Sequence, residues 1–183
     1  MTAVAPDATS TPRRREIVAA ARDILERDGE TALTMRGLAA QLGIKAPSLY
    51  KHFPDKQAVE TELIAMAFEE TADDFEAAVR SRPAEPVAAL ANAYRAYAQA
   101  HPHLYRLMTD RPLPRERLPE GLEARAAAPL VQAMGSVAAA RAAWGMAHGL
   151  AMLEITGRFP PGADVDAAWA AGIAALERLR SAG

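Results

Sequence analysis

Apolar residues recur at three- and four-residue intervals along almost the whole chain, a pattern that predicts helices throughout. Ile17, Ala21, Ile24 and Leu25 make the first stripe; Thr11 can cap it, Pro12 suits its first position, and Gly29 closes it. Met35, Leu38, Ala39 and Leu42 make a second stripe behind Thr34, a good N-cap. Gly43 can take the left-handed conformation that stops this helix, and Ile44 is placed to plug the corner after it. A short third helix starts near Ala46, with Pro47 in its first turn and with Leu49 and Phe53, four apart, facing inward. Asp55 can cap a long helix reaching about Arg80. Val59, Leu63, Met66, Ala67, Phe75 and Val79 take its inner side, and Glu62, Glu69, Glu70, Asp73 and Asp74 its outer side.

Pro83 and Pro86 break that helix. Further helices are expected over about 86–100, 102–108, 122–134, 137–158 and 164–180, with a proline-rich, mobile loop over 110–121. The sequence contains no internal repeat and no strand-like run of β-branched residues. The expected fold is therefore all-α, with about nine helices. A disordered arm is expected over 1–10, a three-helix head over 11–54, and a larger helical body over 55–183.

Charge sharpens the reading of the head. The 183 residues carry a net charge of −2, which does not advertise a polyanionic partner. Residues 1–60 nevertheless hold nine Lys/Arg against eight Asp/Glu, and between Arg36 and Lys56 the count is four against one. Positive charge is focused on the second and third helices. Lys51 and Lys56 can neutralise phosphates, Thr34 and Tyr50 can hydrogen-bond phosphate oxygens, and Ser48 can reach a base edge. Ala46 and Pro47 can pack on a thymine methyl, and Arg36 is long enough to reach a guanine. Any one of these lysines, taken alone, is an ordinary surface residue; the small residues clustered where a groove would come close favour contact. Arg13, Arg14 and Arg15 read first as a solvated helix turn, and second as side chains brushing phosphates.

At this point the residues resemble a known family. Gly29 to Thr34, Leu38-Ala39-Ala40-Gln41-Leu42-Gly43, and Leu49-Tyr50-Lys51-His52-Phe53 followed by Lys56 resemble the DNA-binding domain of TetR-type transcriptional regulators. The likeness covers about the first third of the chain. It implies DNA contacts from Thr34, Arg36, Lys45, Ala46, Pro47, Ser48, Tyr50, Lys51, His52 and Lys56. Two departures stand out: the Ala46-Pro47 pair bears on the sequence read, and Lys45 replaces a common capping serine. Trp144, His148 and Gly149, with the stretch from Tyr94 to Met108, resemble the C-terminal domain of one large subgroup with a Trp-His-Gly signature.

The resemblance implies a ligand cavity in the body, lined by some of Met66, Tyr94, Tyr97, His103, Leu104, Tyr105, Met108, Trp144, His148 and Met152. It also implies a homodimer in which the last two long helices pair with their twins. Gly145 and Gly149, four apart, give a flat strip for such pairing, flanked by Leu153, and Trp169, Ile173 and Leu176 of the last helix join it. Composition alone reads any one of these aromatics as core packing.

Other functions find little material. The sequence has no Walker loop, dinucleotide fingerprint, G-x-S-x-G elbow or H-E-x-x-H, so an enzyme is not expected. The absence of cysteine removes disulfides and thiolate zinc sites, and His101 with His103 lacks a patterned carboxylate, so no metal or cofactor is expected. The first ten residues lack the features of a secretory signal and no apolar run is long enough to span a bilayer, so the expectation is a cytoplasmic protein. The expected function is a dimeric, sequence-specific regulator, a repressor released from a near-palindromic operator by a small molecule. The alternative is a helical interaction module whose DNA-binding head has decayed.

Overall fold

The computed structural model describes residues 11–181; the arm expected at 1–10 lies outside them. Nine α-helices and no strand occur among the described residues. The head is α1 (Pro12–Asp28), α2 (Met35–Gln41) and α3 (Ala46–Tyr50). The body is α4 (Lys56–Ser81), α5 (Pro86–Ala100), α6 (Pro102–Thr109), α7 (Leu122–Met134), α8 (Val137–Ile155) and α9 (Val165–Ser181).

The helix starts follow from side-chain caps. Oxygens of Thr11, Thr34 and Asp55 accept from the backbone N–H of Arg14, Gly37 and Ala58 at 3.2, 3.0 and 2.7 Å. Ser136 and Asp164 do the same for α8 and α9. Helix α8 stops at Ile155, three residues short of the expected end. Gly157 takes φ 65°, and the Arg158 N–H turns back to the Leu153 carbonyl at 2.8 Å, closing the helix before its apolar pattern runs out.

Helix α4 lies at the centre, against α1 of the head and α5, α6 and α7 of the body. It is buried on more than one face: Val59, Leu63, Ile64, Ala67, Ala72 and Phe75 are joined inside by Glu60, Thr61 and Thr71. The two threonine hydroxyls donate back to the Gln57 and Ala67 carbonyls at 2.8 and 2.9 Å, so neither is stranded. One core runs without interruption from Ile17, Leu38, Leu49 and Phe53 in the head through Leu63 to Leu104, Ala147 and Trp169 in the body. A smaller cluster of Val87, Met134, Ala140, Ala143 and Leu176 fills the far end. Motion of the head is thereby tied to packing in the body.

The proline-rich segment after α6 contains one 3-10 turn, Arg115–Arg117, and is pinned at several points. Leu113 and Leu118 pack on the core, Arg111 pairs with Glu30 and Glu60, and Arg115 grips Glu123 through two bonds of 2.8 Å.

Candidate nucleic-acid interface and the body behind it

The turn between α2 and α3 has the expected build. Gly43 takes φ 64°, and the Ile44 N–H bonds the Ala39 carbonyl at 3.0 Å, drawing the half-buried Ile44 side chain into the corner. Leu49 and Phe53 are fully buried and seat α3 on the head. The Lys45 side chain makes no capping bond, so this helix of five residues begins without the anchor the other head helices have. Its outward face carries Lys45, Pro47, Ser48, Tyr50 and Lys51, all exposed, with Tyr50 at 51 %. Ala46 and His52 are half-buried beside them. Thr34 and Arg36 open α2 and are exposed near the same turn. The Thr34 hydroxyl accepts from Gly37, which leaves its own proton free to donate. Arg36, Lys45 and Lys51 pair with no described carboxylate.

Lys56 is placed differently from expectation. Its ammonium donates to the Glu30 carbonyl at 3.2 Å and lies 3.1 Å from Glu60, so it ties the start of α4 to the end of α1. Arg14 is not the solvated turn residue expected either: it reaches Glu62, the His52 carbonyl and the Phe53 ring.

Between head and body lies a seam of charge that the periodicity did not reveal. Glu62 and Glu70 were expected on the outer side of α4, but Arg14 pairs with Glu62 and Arg22 with Glu70. The Tyr97 hydroxyl also donates to Glu70, at 3.1 Å, and His101 Nδ1 lies 3.2 Å from Glu26. Burial, then the nearby Glu70 charge, pushes the Tyr97 phenol well above its ordinary range, so it stays a donor. Three residues expected at a ligand cavity belong to this seam. Tyr97 is buried against Glu70, Met66 lies 3.9 Å from the Arg22 guanidinium, and the His103 ring packs beside the Gly29 backbone. Gly29 has φ 80°, and a Cβ there would stand 3.4 Å from that ring.

The remaining cavity candidates divide. Tyr94, Tyr105, Trp144 and His148 come together in a column that runs from the buried Tyr105 to the exposed Trp144. The Tyr94 and Tyr105 rings meet edge to face at 5.8 Å, the Tyr105 and His148 rings lie 5.9 Å apart, and Trp144 is 6.2 Å from His148. The two phenol oxygens are 2.8 Å apart, and Tyr105 is 2.6 Å from His148 Nδ1. A phenol can both donate and accept, so Tyr105 can serve Tyr94 and His148 Nδ1 at the same time. Burial raises both phenols, which keeps them protonated. Phe75 stacks on Tyr94 from α4, a member sequence reasoning had assigned only to the core. Leu104, by contrast, is fully buried core, and Met152 packs half-buried on that core. Met108 lines a cleft of about 70 Å³ under the proline segment, with Glu60, Thr61 and Arg111.

The proposed dimer surface needs a clear correction. Trp169 is 2 % exposed and Leu176 7 %, both inside the chain's own core, so neither is available to a partner. The Trp169 indole donates to Glu154 at 3.0 Å and lies under the Arg95 guanidinium. Ile173 is half-buried on the same core. Gly145 and Gly149 do lie open, with nothing within 4 Å of an added Cβ, and Trp144 (52 %) and Leu153 (43 %) are exposed on the same helix. On the last helix Gly172 does admit a close intrachain neighbour: an added Cβ there would stand 2.7 Å from the Met146 sulfur.

Comparison with known proteins agrees with this architecture. Residues 17–63 match the family described as bacterial regulatory proteins, tetR family, and residues 87–176 match the tetracyclin repressor-like, C-terminal domain. An uncharacterized HTH-type transcriptional regulator of Mycobacterium tuberculosis is 35% identical over 156 residues, which span 79% of this chain and 71% of that protein. A solved protein of unknown function from Rhodococcus sp. RHA1 superposes with TM-score 0.74 at 27% identity, over 95% of this chain and 98% of that one. The fold is shared as well with a TetR variant from Acinetobacter baumannii AYE in complex with minocycline. There the TM-score is 0.62 at 19% identity, over 94% of this chain and 96% of that one. The chain belongs to the TetR family of bacterial transcriptional regulators, which are DNA-binding proteins and not enzymes.

Proposed function

We propose that this chain is a homodimeric repressor that holds a near-palindromic operator through α2 and α3 and releases it when a small molecule binds the body. The observation that carries the DNA reading is the exposed set Arg36, Lys45, Ser48, Tyr50 and Lys51. Its cations have no carboxylate partner among the described residues, while the helices that bear it are seated by Leu49 and Phe53. Thr34, Ala46, Pro47 and His52 border that face. Lys56 is better read as fixing the start of α4 than as a phosphate contact. The division into a head over 11–54 and a body over 55–183 follows the start of α4.

The ligand reading rests on the column of Tyr94, Tyr105, Trp144 and His148, flanked by Met152, and on a body that shares its fold with a protein solved with minocycline. Trp144, His148 and Gly149 favour the Trp-His-Gly subgroup. Open glycines at 145 and 149 beside exposed Trp144 and Leu153 favour α8 as the dimer face. A ligand that prefers one arrangement of the seam between α1, α4 and α6 would change DNA affinity, and a coupling of about 1–3 kcal/mol suffices. No helix among the described residues is long and apolar enough to cross a membrane, in keeping with a cytoplasmic regulator.

Selection of bound duplexes from a random library tests the reading. Two half-sites about 34 Å apart are expected, with log K falling against log salt at a slope of roughly −4 to −5. Failure to enrich any sequence would favour the helical interaction module with a decayed head.

A further inference from the structure

Helix α3 has five residues and no side-chain cap, and a helix that short has little stability of its own. Something outside it must fix its direction. On its N-terminal side Ile44 fills the corner. On its C-terminal side the chain turns through His52 and Phe53 before Asp55 caps α4. Arg14, in the first turn of α1, meets this second turn with its whole guanidinium. The group sits over the buried Phe53 ring, its central carbon 4.2 Å from the centroid. One nitrogen donates to the His52 carbonyl at 2.6 Å, and another pairs with Glu62 on α4. A single side chain therefore joins α1, the end of α3 and α4.

We propose that Arg14 is a positioning residue for the recognition helix: it sets the angle at which α3 enters the major groove and is not itself a phosphate contact. The proposal rests on the operator reading above. The geometry calls for arginine in particular. The fork sits over the ring and serves a carbonyl and a carboxylate together; a lysine ammonium cannot reach all three at once. Two of the three contacts hold backbone or ring atoms of the segment that follows α3, so their loss frees that helix more than it unfolds the head. Sequence specificity depends on base-edge geometry, whereas affinity for any duplex depends on phosphate charge.

The test compares two duplexes, one recovered by the random-library selection and one a scramble of equal length and composition. Arg14→Gln and Arg14→Lys are each expected to weaken binding to the selected duplex by about tenfold, a mismatch-sized loss. Binding to the scramble and the salt slope of either duplex should stay as in the parent protein. Three results overturn the idea. A salt slope lowered by about one per head in Arg14→Gln, with rescue by Arg14→Lys, identifies a phosphate contact. Equal weakening on both duplexes, tracking the fraction folded, identifies a merely structural residue. Unchanged binding to the selected duplex removes the role altogether. Should the Arg14 variants not fold, Glu62→Gln removes one of the arginine's partners and should give a loss of about threefold, confined to the selected duplex; no such selective loss also overturns it. A parent protein that does not distinguish the two duplexes would instead sink the operator reading, a result visible before any variant is made.

Discussion

Arg36, Lys45 and Lys51 on the α2–α3 face have no carboxylate partner among the described residues, whereas Arg14, Arg22, Arg95 and Arg111 each reach one. The two sets share chemistry and differ in use. Paired cations stitch helices together: α1 to α4 through Arg14 and Arg22, and α5 to α8 and α9 through Arg95. Unpaired ones stay hydrated and available to an external anion, so releasing counterions from DNA costs no internal ion pair. Net charge therefore says little about function here, and the presence or absence of a partner says much.

The comparison breaks most visibly if the unpaired face is removed. Replacing Tyr50 and Lys51 together by alanine should weaken operator binding by about 100-fold or more, roughly 3 kcal/mol, since the proposed dimer would lose both contacts twice. Both side chains are exposed, so unfolding free energy should move by only about 0.5 kcal/mol. Retained binding in a titration at fixed salt would show that the unpaired cations are ordinary surface residues.

The opposite outcome is expected at the body's paired site. Glu154 accepts from Arg95 at 2.7 and 2.9 Å, from Gln99 at 2.7 Å and from the Trp169 indole at 3.0 Å. Arg95 holds its carboxyl below the usual range against the opposing pull of burial, with Trp169 and Gln99 assisting. The stabilisation is thus complete above the ordinary glutamate value of about 4.3 and is lost as pH falls through the lower value of the folded state. Glu154→Ala should cost roughly 2 kcal/mol at pH 7 in denaturant unfolding, and the gap to the parent should narrow below about pH 4. A gap that does not change with pH would mean the loss comes from packing.

Tyr97 gives a smaller test of the head–body seam. Tyr97→Phe removes the bond to Glu70 but leaves Arg22 as that carboxylate's partner, so about 1 kcal/mol of stability should be lost. The salt slope of DNA binding should not change. A changed slope would show that the seam and the recognition face are not separate.

What could be read from the sequence follows the range of the forces involved. Helix starts were legible because Thr11, Thr34 and Asp55 act within three residues of themselves. The α2–α3 turn was legible through Gly43 and the spacing of Leu49 and Phe53. Partners far apart in the chain were not. Arg22 meets Glu70 across 48 positions and Arg95 meets Glu154 across 59, and no local period marks either pair. Trp169 and Leu176 looked available for a dimer because helical spacing gives a face without saying what already covers it. Amphipathic pattern also failed on α4, where a central helix is buried on more than one side and its carboxylates turn inward to arginines.

Lys45, the unpaired cation at the start of α3, gives the finest test. It occupies the N-cap of α3 without capping it, and its ammonium has no partner among the described residues. Lys45→Ser should add the missing bond to the first turn and raise stability by about 0.5–1 kcal/mol. The same change deletes a cation at the mouth of the recognition helix. If Lys45 meets a phosphate, the salt slope should become shallower by about one for each head, with selected and scrambled duplexes affected alike. A stabilised protein with an unchanged slope would mean that Lys45 points to water in the complex, so that the unpaired face begins at Ser48. A shallower slope without added stability would mean that α3 is held from its far end, where Arg14 meets His52 and Phe53, and gains nothing from a cap.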